Sequence, residues 1–166
     1  MLINRGEDML KNKIFLKNLL VLSGILGLLL GIITIIPFIC NISFFVLMIL
    51  AAPVLFVYLK KINLIGFFEP KQGAVLGAII GFVSFVGFAI SFVPLATIIG
   101  FLYKGSYYLG VSLLFRSGIF VTIMMVLFVA ILSALMNAFT GLVTMYVYNQ
   151  IEPQPEETKT SIDIQE

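Results

Sequence analysis

Charged side chains are missing from three long tracts of this chain, residues 18–59, 72–103 and 117–151. Apolar residues run through them almost without a break, relieved by glycine, serine and threonine rather than by ionisable groups. Such tracts exceed what a strand or a half-buried helix of a water-soluble domain needs, and they read as membrane-spanning helices. One charge at a helix centre opposes insertion by roughly 2.5–3.5 kcal/mol, whereas each Leu or Ile favours it by roughly 0.3–0.6 kcal/mol. Leu19–Ile36 holds thirteen Leu, Ile and Val residues, so its insertion is favourable by about 5 kcal/mol.

The first tract is long enough to cross twice. Spans are expected over residues 17–36 and 42–59, with Pro37, Asn41 and Ser43 forming a tight turn between them. Pro53 lies inside the second span and predicts a kink, because proline removes a backbone hydrogen bond. A third span is expected over 73–93, with Pro94 marking its end or a kink, and a fourth over 119–146. Between them, Gly105–Phe115 is too short an uncharged stretch to cross. Its neighbours Tyr103, Tyr107 and Tyr108 suit the headgroup level, so 94–118 is expected at the interface. An alternative counts a fifth span near 95–115 and moves the C-terminal tail across the membrane. The expected fold class is all-α: an integral membrane four-helix bundle made of two antiparallel helical hairpins.

Composition agrees with this picture. Apolar residues make up 61% of the 166 residues and charged residues 11%, against about 25% charged in soluble domains. The arm, residues 1–16, is basic, and the tail, 149–166, is acidic, with Pro153 and Pro155; its composition predicts disorder. With the N-terminus inside, eight of the ten Lys and Arg residues fall on the cytoplasmic side, and only Lys104 and Arg116 fall outside. That bias places both termini in the cytoplasm, the chain being a multi-pass protein of the cell membrane. No basic tract is dense enough for nucleic acid. The lysines face lipid headgroups instead, and the lipid bilayer is the expected partner.

Within the spans the small residues follow helical spacing. Ser23, Gly27 and Gly31 share one face of span one, and Gly73, Gly77 and Gly81 share one face of span three. Four-residue spacing of glycines opens a groove that a neighbouring backbone can enter closely. The groove on span three is expected to hold span one or four of the same chain, or else to form a dimer interface or sliding surface, and the two glycine faces are the natural pair to meet. Span four adds the packing residues Ala130, Ala134 and Gly141, beside a mildly polar stripe of Ser133, Asn137, Thr140 and Thr144. Asn137 is the most polar side chain in any span. Its amide needs a partner in hydrocarbon, either an interhelical hydrogen bond or a solute in a polar constriction.

Reactive chemistry finds little to work with. There is no histidine, which removes the commonest general base and metal ligand. The single cysteine allows no intramolecular disulfide, and no carboxylate lies within a span. The expectation is a non-enzymatic protein with no catalytic, cofactor or metal residues and no cofactor. It would act through helix–helix association, as a homo-oligomer or with a membrane-protein partner. The alternative is a small channel or transporter for a neutral or apolar solute, lined by the Asn137 stripe.

Three features carry a resemblance: a basic arm, a Gly-rich first span ending in Ile36-Pro37-Phe38, and a Lys60-Lys61 loop leading into Gly73-Ala74-Val75-Leu76-Gly77. In this layout the chain resembles small four-span bacterial membrane proteins classed as domains of unknown function. The resemblance covers roughly residues 17–148 and implies the four-span fold, with no activity or site residue attached.

Cys40, the only thiol, is expected near the outer surface. A membrane-impermeant maleimide should therefore label it in intact cells. Labelling confined to inverted vesicles would reverse the orientation.

Overall fold

Backbone N–H and C=O groups have no water to bond in hydrocarbon, so apolar tracts of this length close their hydrogen bonds as helices. The computed structural model describes residues 13–36, 39–62, 69–103 and 109–151. The expectations for residues 1–12, for Lys104, Tyr107 and Tyr108, and for the tail from 152 lie outside the described residues. So do those for the side chains of Cys40, Tyr103 and Arg116.

The elements are helix α1 (Lys13–Ile33), α2 (Cys40–Phe45), a π-helical turn (Val46–Leu50), α3 (Ala51–Lys61), α4 (Pro70–Tyr103) and α5 (Leu109–Ile151). Among the described residues, four stretches are long and apolar enough to cross a membrane: Lys13–Ile33, Ile42–Lys61, Pro70–Ile99 and Gly118–Ile151. The second span is thus a composite of α2, the π turn and α3. The chain is all-helical, with the architecture of a multi-pass membrane protein.

One boundary differs from expectation and one agrees with it. Pro94 does not end the third span, because α4 runs through it to Tyr103. A break there would leave several backbone groups bare in an apolar setting, whereas one proline removes a single donor. The stretch from 94 to 103 therefore continues α4 rather than belonging to a separate interfacial segment. The boundary that agrees is the start of the fourth span, where Gly118, with φ 77° and ψ 161°, interrupts α5. The residues before it form a helix of their own, set at a corner to the long fourth span.

The four spans do not share burial equally. Half of the third span's apolar window is buried (50%), against 11% for the fourth. α4 packs against both α1 and α5, while α1 touches the second span only lightly. One apolar layer joins Phe15 and Leu19 of α1 to Leu55, Phe56 and Leu59 of α3, Leu76 and Ile80 of α4 and Met145 of α5. A second layer joins Leu47, Phe85, Phe88 and Ala130.

The first layer draws on the start of α1, the end of α3, the start of α4 and the end of α5. Those four ends therefore lie at one end of the bundle, together with Lys13, Lys17, Lys60, Lys61 and Lys71. There Lys60 Nζ sits 4.0 Å from the centre of the Tyr148 ring. This cation–π contact ties the end of α3 to the end of α5.

Gly118 is exposed, and a Cβ there would meet no atom within 4 Å, so its constraint is conformational alone. Gly118→Ala should lower stability by about 1–3 kcal/mol, the cost of a positive-φ, extended-ψ backbone that is open essentially only to glycine. The midpoint of SDS-driven unfolding in mixed micelles measures it.

Candidate functional site

Helices gain no hydrophobic drive from meeting inside lipid, so close contact depends on small residues that let backbones approach. α4 carries such residues from Gly73 to Ser91, and two neighbours share them end to end. Its early turns face α5. A Cβ on Gly73 would stand 2.8 Å from Gly141 O, one on Gly81 would stand 2.6 Å from Ser133 O, and one on Gly77 would collide with Asn137 O. In return, a Cβ on Gly141 would lie 2.5 Å from Gly73 O. Ser133 Oγ donates to Gly81 O at 3.1 Å across this seam.

The later turns of α4 face α1. A Cβ on Gly27 would collide with Ser84 O, and one on Gly31 with Ser91 Oγ. Ser84 Oγ donates to Ser23 O at 3.1 Å, and Ser91 Oγ to Leu28 O at 3.1 Å. The Ser23–Gly27–Gly31 face therefore does not meet the Gly73–Gly77–Gly81 face. The length of α4 bearing those glycines is occupied by α5, and α1 docks further along. Four-residue spacing marks a groove without saying which helix fills it. Ser84, Gly87 and Ser91, which sequence reading passed over, continue the small-residue stripe of α4 beyond Gly81 at three- and four-residue steps.

The most polar feature sits where the second span is broken. Asn137, on α5, is fully buried (0% exposed) and faces the π turn. Its Oδ1 accepts from Ala52 N–H at 2.8 Å. Its Nδ2 donates towards Met48 O at 3.0 Å and Leu47 O at 3.1 Å. In a regular α-helix the N–H of Ala52 would bond the carbonyl of Met48, four residues earlier. The amide is interposed in that one backbone bond, with its acceptor on the donor and its donor on the acceptor.

Pro53 lies next in sequence and has no N–H to give. Proline and π turn together loosen the span at the level where α5 presents an amide. Nδ2 also has Ser133 O at 3.0 Å and Ser133 Oγ at 3.4 Å. Four oxygens thus surround two hydrogens.

The remaining stripe residues bond their own helix. Thr140 Oγ1 donates to Asn137 O at 3.3 Å and Thr144 Oγ1 to Thr140 O at 2.7 Å, both partly buried. Ala130 is buried against Leu47, Phe85 and Phe88, and Ala134 is half-buried. Among the described residues, no buried side-chain nitrogen or oxygen lacks a hydrogen-bond partner. The break in the second span was legible only as Pro53. The π turn and its partner on α5 were not.

No family model, no curated protein and no solved structure matches this chain.

Backbone contact at the seams makes added atoms costly. Gly27→Ala and Gly77→Ala should each destabilise the protein by about 1–3 kcal/mol through overpacking. Gly24→Ala, where a Cβ meets nothing within 4 Å inside helix α1, should leave stability unchanged or raise it by up to about 1 kcal/mol. Equal losses at all three positions in SDS titration would contradict these seams.

Proposed function

We propose that this chain is a non-enzymatic multi-pass protein of the cell membrane, with both termini cytoplasmic, that works by associating with other membrane-embedded helices. Its partners are further copies of itself or the subunits of a larger complex. The observation that carries this reading is the placement of polar groups. Every buried polar side-chain atom among the described residues is already bonded, and the faces turned outward are apolar. Ile119, Phe120, Phe128, Leu135 and Phe139 of α5 are all exposed, as are Ile14, Val21 and Leu29 of α1.

Spans that turn apolar faces outward meet their surroundings through lipid and helix contact. Orientation rests on the lysines gathered at one end of the bundle, since cytoplasmic loops carry the excess of Lys and Arg. The resemblance to small bacterial four-span proteins accords with this reading and adds no chemistry to it.

Crosslinking in native membranes, followed by affinity capture of the full chain and mass measurement in mild detergent, tests the proposal. Dimers, higher oligomers or a stoichiometric membrane partner are expected. A species that is only monomeric, with no copurifying chain, would overturn it.

A further inference from the structure

The bonds around Asn137 have an unusual property: the groups it holds apart can satisfy one another. Met48 O and Ala52 N–H form an ordinary helical pair once nothing lies between them, and Leu47 O then takes the N–H of Ala51. Withdrawing the amide therefore strands no backbone group of the second span. Nor is the amide nitrogen stranded, because Ser133 O and Oγ, one turn back on its own helix, remain within 3.0 and 3.4 Å. Only Oδ1 gives up its donor, the Ala52 N–H, so the two arrangements of one set of atoms differ by that one side-chain acceptor.

We propose that the second span has two helical registers and that the Asn137 amide selects between them. Inserted, it holds the π turn at Val46–Leu50 and the register observed here. Withdrawn, it lets the turn close to an α-helix and rotates the outer half of the span by about 100°, one residue's worth of turn. π turns inside α-helices commonly mark such functional positions. The inference concerns a motion within the chain and does not depend on whether the protein associates with others.

Rotation by one residue changes which outer positions are covered. With the extra residue of the π turn removed, each residue before it takes the place its predecessor now fills. Phe44 takes the slot of buried Ser43, and Ser43 the outward position of Ile42. Ser43 is 3% exposed, Phe44 39% and Ile42 63%, so the pair 43 and 44 exchanges inside for outside.

The test uses the full chain in lipid nanodiscs with Cys40→Ser, carrying either Ser43→Cys or Phe44→Cys, and reads the rate of alkylation by N-ethylmaleimide. With Asn137 present, the thiol at 44 should react several-fold faster than the thiol at 43. In Asn137→Leu the order should reverse, and Asn137→Ala provides the same comparison where leucine does not fit. Pro53→Ala, which restores a donor without touching the amide, should keep the parental order. An unchanged order in the Asn137 variants would overturn the proposal. So would a reversal in Pro53→Ala alone, since proline and not the amide would then set the register.

Discussion

A peptide group in hydrocarbon must find its partner within the protein. That requirement turns every apolar tract of this chain into a helix and keeps α4 helical through Pro94. It also decides what happens where a helix cannot be regular. At the π turn the second span draws on a side chain from elsewhere, and Asn137, 85 positions further along the sequence than Ala52, meets the demand. The most polar of the buried side chains is thus held against backbone, where its oxygen meets an N–H and its nitrogen a carbonyl.

Close approach is the second determinant. Gly27 and Gly31 of α1, Gly73, Gly77, Gly81 and Gly87 of α4 and Gly141 of α5 stand where a single added carbon would strike another helix's backbone. Packing of this kind gains dispersion contacts that lipid chains supply less well, and it leaves room for serine hydroxyls to reach across. Ser84 bonds the carbonyl of Ser23, and Ser133 that of Gly81. The polar bonds follow from the small residues, since without their closeness the hydroxyls would be left to bond their own helices, as Thr140 and Thr144 do.

What could be read from the sequence divides along physical lines. The four spans were legible because insertion depends on a sum over about twenty residues, and three charge-free tracts leave that sum in no doubt. The partners of each face were not, because Gly27 and Gly77 carry the same spacing and nothing local says that one meets Ser84 and the other Asn137. Pro53 announced an irregularity, yet its form depends on a residue of a different helix. Gly118 could be read as a breaker near the start of span four, but its positive φ, which separates two helices at a corner, could not. The need of Asn137 for a hydrogen-bond partner was legible; the backbone of a broken helix as that partner was not.

The central position of α4 bears on how the protein is made. Synthesis delivers α1 and the second span to the bilayer first, and these two touch each other only lightly. The groove on α1 then has to wait for a helix not yet translated, so the first hairpin enters lipid as an incomplete assembly. Emergence of α4 closes the seam with α1, and α5 brings the amide that completes the backbone of a segment inserted long before. A later helix thus finishes an earlier one, and the backbone of the second span stays incomplete until α5 has been made.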